Sequence, residues 1–177
     1  MTNRSYKHAG ATVLAIVLAT GFLIYAQQQE PKTADGSRTR QSMEEMNERG
    51  DKAMGFDHMK TTHHFLLTND GGVIQVEANQ ASDRESSDQI RKHLRHIAIA
   101  FSEGDFDTPM FVHAESPPGI EAMKRLKSEI SYKFEETSRG GRVRIASNNA
   151  EAITAIHDFL TFQIKEHKTG DPLKVVK

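Results

Sequence analysis

The sequence predicts an α+β fold, with two ββα repeats that form a four-stranded antiparallel sheet and place two long helices on one face. Two segments alternate apolar and polar residues around a Gly-Gly turn, at positions 71–72 and 140–141, as β-hairpins do. Each is followed by a segment with apolar residues three or four positions apart, which is typical of an amphipathic helix. The length of 177 residues suits one modest domain with appendages and excludes large multidomain enzymes.

The N-terminal segment, residues 1–26, predicts export. An uncharged, largely apolar run at residues 9–26 follows a short start that carries Arg4 and Lys7. This pattern is typical of a signal peptide or an N-terminal membrane anchor, and basic residues before such a run favour a cytoplasmic start. We expect a protein that is periplasmic, or tethered to the outer face of the cytoplasmic membrane through residues 9–26 if these are not cleaved.

Residues 27–54 predict a flexible polar tether. Up to Arg40 the segment is polar, contains proline and glycine, and has no apolar periodicity, as expected of a linker. Methionines among polar residues from Gln41 to Met54 allow a short helix, with an interruption near Gly50.

The folded domain is expected over residues 55–172, followed by a tail at 173–177. Its first hairpin turns at Asn69–Gly72, because these residue types tolerate positive φ. The helix that follows has capping candidates at Ser86–Asp88 and extends to about Glu103. Its apolar stripe consists of Ile90, Leu94, Ile97 and Phe101.

The second half follows the same plan. Its hairpin turns at Ser138–Gly141, and the strands on either side alternate apolar and charged residues. Asn148 or Asn149 caps a helix that ends near Gly170. Residues 104–129 connect the halves and read as loop, with one short helix that begins near Ile120.

Composition excludes several classes of function. With 23 Lys+Arg against 24 Asp+Glu, the chain lacks the basic excess of a dedicated nucleic-acid binder. The absence of cysteine excludes disulfides, thiolate metal sites and cysteine nucleophiles. The chain also lacks a nucleophile elbow, a zinc-protease helix, a P-loop and a dinucleotide fingerprint. The sequence therefore offers no catalytic residues and favours a protein that is not an enzyme.

Histidine is the conspicuous residue, with nine in the chain. Strand alternation places His63 on the apolar face, while helical periodicity places His93 and His157 beside apolar stripes. A buried imidazole needs partners for both nitrogens, and a metal or a haem iron can be one of them. We therefore predict a site that uses two or three of these residues, with His93 or His157 as the axial ligand if the cofactor is haem. Alternatively, each imidazole is hydrogen-bonded within the core.

A second group, at residues 43–64, combines thioethers with imidazoles. Methionine favours Cu(I), and histidine accepts Cu(II) or Zn(II), so this mixture suits copper. His113, in a proline-bounded loop, is a further candidate, whereas His96 reads as solvated and His167 as a helix-end residue that complements the dipole. The predicted metal ligands are His58, Met59, His63, His64, His93, His113 and His157.

These residues lead to two hypotheses. The first is an exported metal-binding protein, with copper as the favoured ion, that uses His and Met for sequestration or transfer, with haem as the variant ligand. The second is a cofactor-free envelope interaction or structural module whose histidines hydrogen-bond in the core or respond to pH at the surface.

Three segments resemble a family of small exported bacterial proteins of uncharacterised function: AIHDFLTFQIKEHKTGD at 155–171, MGFDHMKTTHHFLL at 54–67 and PPGIEAMKRL at 117–126. The resemblance covers residues 54–172 and implies no particular activity. Some similar sequences carry the label aspartate carbamoyltransferase. We reject that activity, because the Ser-Arg-Thr-Arg segment at 37–40 lies in a predicted tether, without the strand and helix that would orient donors on a phosphate.

Overall fold

A computed structural model describes the backbone of residues 34–176 and the side chains of residues 40–176. Residues 35–177 group into one compact unit. The predicted signal or anchor at residues 1–26 lies outside the described residues, as does the tether up to residue 33. Within the described part, no helix combines the length and the apolar character needed to cross a membrane.

The described chain contains a four-stranded sheet and five α-helices, which confirms the α+β class. In chain order the elements are α1 (Ala34–Met54), β1 (Thr61–Thr68), β2 (Gly71–Ala78), α2 (Arg84–Glu103), α3 (Asp107–His113), α4 (Ile120–Arg125), β3 (Ile130–Thr137), β4 (Gly140–Ser147) and α5 (Ala150–Glu166). Short 3-10 turns precede β1 and β3.

The sheet is antiparallel throughout, with the strand order β1-β2-β4-β3. Each hairpin contributes its second strand to the centre, where Ile74 of β2 lies opposite Val143 of β4. Alternation turns these two residues, with Phe65 and Leu67 of β1, towards the helices, where they are buried. The opposite face of the sheet carries polar residues such as Gln75 and Arg142, which lie opposite each other, and has fewer apolar residues than the inner face.

The two long helices lie on one face of the sheet and contact each other. Helix α2 packs mainly on β3 and β4, and α5 packs mainly on β1 and β2. The rings of Phe101 on α2 and Phe159 on α5 are 5.9 Å apart. Each half therefore supplies the helix that covers the hairpin of the other half. The relation of the two halves as repeats stays a prediction.

Helix α5 approaches the sheet closely because β2 has no side chain at Gly72. A Cβ atom there would lie 2.2 Å from Cδ1 of Leu160. Deeply buried side chains of this kind each contribute about 1.5–3 kcal/mol from removal of apolar surface from water. The sheet face and the helices thus share one apolar core.

Helix α1 begins at Ala34 and continues through Gly50, whereas the sequence favoured a flexible segment to Arg40 and an interruption near Gly50. Packing accounts for the difference. Met46 is 6% exposed, and the Arg49 Nε–H donates to the carbonyl oxygen of Val112 over 2.9 Å. These contacts offset the cost of a helical glycine, about 1 kcal/mol.

Two further boundaries differ from the sequence-based expectation. Helix α2 begins earlier, because the Asp83 carboxylate accepts the Ser86 N–H over 3.0 Å and so acts as its N-cap. The expected loop contains α3, in which Pro109 occupies the first helical turn. Proline is tolerated there because its missing N–H would have no partner within the helix.

Gly119→Ala should destabilise the domain by about 3 kcal/mol or more. Gly119 has φ +85°, and an added Cβ would lie 2.1 Å from the Ala155 carbonyl oxygen on α5. Gly55→Ala is the matched control, because Gly55 has φ +77° with nothing near its Cβ position, so only about 1 kcal/mol should be lost. Denaturant unfolding of the full chain measures both changes. Equal losses would contradict close packing of α4 against α5.

Candidate functional site

A cavity of about 80 Å³ lies between the helices and the inner face of the sheet. Ile74 and Val76 of β2 form part of its floor, and Leu94, Ile97 and Phe159 belong to its helical walls. The remaining wall includes the side chains that can act as metal ligands or hydrogen-bond partners: Met54, His63, His93, Thr108, His113, Gln163 and His167. No carboxylate, lysine or arginine is among the described residues that line this space.

The four histidines of the cavity come from four separate parts of the fold. His63 lies on β1, two positions before buried Phe65, and His93 lies on α2 beside buried Leu94. His113 is the last residue of α3, and His167 directly follows α5. No local sequence pattern unites them, since only the packing of these elements brings them to one place.

Ring contacts link these side chains into one cluster. The rings of His63 and His167 are nearly parallel with centroids 5.9 Å apart, and those of His113 and His167 are 5.1 Å apart at 83°. The ring of Phe56 lies 6.2 Å from that of His63 and 5.7 Å from that of His93. Because two of the imidazoles are stacked, the rings converge on one point only after rotation about their side-chain bonds.

Hydrogen bonds satisfy few of the polar atoms in this cluster. The His113 Nε2–H donates to Oε1 of Gln163 over 3.0 Å, which leaves Nδ1 of His113 with its lone pair. Gln163 is 4% exposed, and its Nε2 has no partner. Among the described residues, the ring nitrogens of His63, His93 and His167 have no hydrogen-bonding partner.

The environment favours the neutral form of these imidazoles. Burial foremost, together with the neighbouring histidines, lowers the pKa of His63 and His93 to about 4 and that of His167 to about 3. Burial also lowers the pKa of His113, against the opposing effect of its bond to Gln163. A neutral imidazole is the form that binds a metal ion. Near pH 7 the cavity therefore presents uncharged nitrogen donors.

Two of the predicted ligands lie outside this cluster. The His157 Nε2–H donates to the Thr68 carbonyl oxygen over 2.8 Å, five positions along β1 from His63, or about 16 Å. His64 points to the opposite face of β1, where Nδ1 is 2.9 Å from Oδ1 of Asp171. The structure thus brings together His63, His93 and His113, and separates them from His157 and His64.

The remaining candidates, His58 and Met59, lie in the turn before β1, where Met59 is 74% exposed. Ligand atoms of Asp51, Asp57 and His58 lie within 4.8 Å of one another, which would allow a metal ion. Internal bonds already engage them: Asp51 accepts from the backbone and Nδ1 of His58, and Asp57 accepts the Met59 N–H over 2.8 Å. This group therefore needs no ion to satisfy its polar atoms.

A C-terminal latch, residues 168–176, turns the chain after His167 back onto the outer edge of β1. Oδ2 of Asp171 accepts the Phe65 N–H over 2.9 Å, and the Val176 N–H donates to the Leu67 carbonyl oxygen over 2.9 Å. His167 is the C-cap of α5, as its predicted place at a helix end requires, but periodicity did not indicate that its side chain reaches the cavity. The only local signal is Gly170, which allows the turn after the helix.

Comparisons of the chain with protein-family models, with curated proteins and with solved structures find no match. The resemblance to small exported bacterial proteins stays a prediction.

Metal-free protein should lose stability as the pH falls from about 6.5 to about 4. In this window the unfolded chain protonates its histidines, whereas burial keeps His63, His93 and His167 neutral in the folded chain. The unfolded state then binds more protons, so the free energy of unfolding rises with pH, by up to about 1.4 kcal/mol per pH unit for each imidazole. We expect the protein to take up about three protons on unfolding. The slope of the free energy of unfolding against pH measures this number.

His167→Gln should reduce this uptake by about one proton. His96→Gln is the control, because it alters an exposed imidazole of α2. An uptake below about one proton in the unaltered protein would contradict the presence of several neutral buried imidazoles.

Asp171→Ala should lower the free energy of unfolding by about 1–3 kcal/mol, because it leaves the Phe65 N–H without its acceptor. Burial opposes ionisation of Asp171, but hydrogen bonds from Thr169, Phe65 and His64 hold its pKa below the usual value. This contribution is therefore present above about pH 4 and is lost below it. The NMR signals of the His167 ring should shift as well, since the latch positions that residue.

Asp88→Ala is the matched control for this change. Asp88 forms a surface pair with Arg91, and its side chain is 76% exposed, so its loss should cost at most about 0.5 kcal/mol. An Asp171→Ala protein as stable as this control would show that the latch does not hold β1.

Proposed function

We propose that this protein is an exported binding protein for a transition-metal ion, copper foremost, with ligands drawn from His63, His93, His113 and His167. The observation that carries the proposal is the cluster of neutral imidazoles at one cavity, where three rings lack a hydrogen-bonding partner. These imidazoles are half-buried, and their unpartnered nitrogens can accept a ligand at the cavity. Sequestration or transfer of the ion is the role that follows from coordination there.

The size of the cavity favours an ion over haem. Its volume of about 80 Å³ lies well below the roughly 300 Å³ at which sites for larger organic ligands begin. His157, which the sequence offered as an axial ligand, already bonds to Thr68. A single ion requires rotation of these side chains, because no three of the cavity histidines have ligand atoms within 4.8 Å of one another in the described structure.

The types of donor favour copper. Imidazole suits copper and zinc, and the thioether of Met54 adds a soft ligand that copper accepts. Gln163 would act as a positioning residue, because its bond to Nε2 of His113 directs the lone pair of Nδ1 towards a ligand. Ligands without thiols also resist the oxidation that would disable cysteine in an exported compartment.

Export is part of the proposal and is supported by the sequence alone. The basic start and the apolar run at residues 9–26 favour passage to the outer side of the cytoplasmic membrane. There the protein would be periplasmic, or remain tethered to the membrane if the segment is not cleaved.

Metal-free full chain in a mild non-ionic detergent should bind one equivalent of at least one of the ions Cu(I), Cu(II) and Zn(II), each added separately. Binding to the folded state alone raises the free energy of unfolding by about 2.7 kcal/mol when the free ion is 100 times the Kd. Calorimetric titration and thermal unfolding measure the two effects. No saturable binding at micromolar ion would contradict the proposal and leave the cofactor-free envelope module.

Substitutions locate the site. His63→Gln and His167→Gln should each weaken binding at least about tenfold, the loss expected for one good ligand. His96→Gln, on the surface of α2, and His157→Gln, at the far end of β1, should leave binding unchanged. Loss of binding in Asp51→Asn alone would move the ion to the turn before β1 and contradict the cavity as its site.

A further inference from the structure

We infer that the cavity binds Cu(I) in preference to divalent ions, because its donors are all uncharged and include a thioether. This inference rests on the proposed metal-binding function and adds the oxidation state of the ion. It follows from the charge, the polarity and the softness of the groups around the cavity.

The cavity wall offers no negative charge to a cation. Its donors are four imidazoles, one thioether, one amide and one hydroxyl. The acidic residues that act on His113 are Glu115 and Glu166, both exposed and outside the lining, and Arg49 acts on it in the opposite sense. A bound ion would therefore keep its full charge among neutral groups.

Retained charge penalises a divalent ion more than a monovalent one. The cost of transferring an ion from water to an apolar environment rises with the square of its charge, so it is about four times larger for a dication. Phe65, Phe101 and Phe159 belong to the cavity wall and supply no compensating anion. The same donors consequently hold Cu(I) at a much smaller electrostatic cost.

Zinc sites built from neutral imidazoles show the alternative arrangement. They keep a water or hydroxide as the fourth ligand, and that molecule needs hydrogen-bonding partners. Here the candidates are the unpartnered Nε2 of Gln163 and the Thr108 hydroxyl. A zinc hydroxide held by these groups is the principal rival and gives a different outcome in the test.

Met54 distinguishes the two arrangements. Its thioether lies on the cavity wall, at the end of α1. Thioethers bind Cu(I) and contribute little to Zn(II) or Cu(II). Met54→Leu keeps a similar side-chain volume and removes only the sulfur. Met110→Leu is the matched control, because Met110 packs on the core without lining this cavity.

The experiment uses the metal-free full chain under anaerobic conditions. Cu(I) is supplied in competition with a chromophoric Cu(I) chelator, Ag(I) serves as a monovalent mimic without redox chemistry, and Zn(II) and Co(II) are the divalent probes. We expect Cu(I) and Ag(I) to bind more tightly than either divalent ion, and the competition titrations measure the ratio. Met54→Leu should weaken monovalent binding about tenfold and leave divalent binding and the Met110→Leu control unchanged.

Spectra of the unaltered protein provide a readout that does not depend on a variant folding. Ag(I) should shift the ring nitrogen signals of His63, His93, His113 and His167, and leave those of His96 and His157 in place. These shifts would show directly which imidazoles bind the ion.

The outcomes separate this inference from the proposed function. Divalent binding as tight as that of Cu(I), lost in His63→Gln, would overturn the selectivity and leave the metal-binding function standing. The same result with a dependence on Gln163 would identify the zinc hydroxide arrangement. Absence of binding by all four ions would overturn both the inference and the proposed function.

Discussion

The pairing of β2 with β4 is the constraint on which the rest of the structure depends. It joins two hairpins into one sheet through the register that sets Ile74 opposite Val143. Because α2 then covers the second hairpin and α5 the first, the helices meet above this pair of strands. A slip of one residue would turn every inner side chain of one hairpin to the solvent face. In the correct register, each half depends on the helix of the other half to bury its apolar surface.

The cavity is a consequence of that arrangement. It lies where the inner face of β2 meets α2 and α5, and the ends of α1 and α3 complete its wall. One of its polar groups is costly as it stands, because Nε2 of Gln163 is buried without a partner. The imidazoles beside it are half-buried and remain neutral near pH 7. The absence of charge on the wall then limits which ligand is compatible.

The elements that the sequence predicted well are those set by local patterns. Both hairpins turn within the predicted segments, because strand alternation and turn chemistry act within a few residues. The turns are shorter than predicted, at residues 69–70 and 138–139, and each Gly-Gly pair begins the second strand instead. Asn149 caps α5 as expected, since its side chain reaches only the next turn of backbone. The course of α1 through Gly50 and the existence of α3 depend instead on contacts between distant segments, such as Arg49 with Val112.

The sequence by itself determined the fold class, because alternation and helical stripes specify the layers, and the absence of cysteine excluded thiolate ligands. Only the tertiary structure decided which histidines share a site. His157 and His167 both belong to the end of the chain, yet the first bonds to Thr68 and the second is turned into the cavity by the latch on β1. The reason is that sequence periodicity predicts which side of a helix or strand a residue occupies. Whether two histidines meet depends also on how the elements pack and on how far along each element the residue lies.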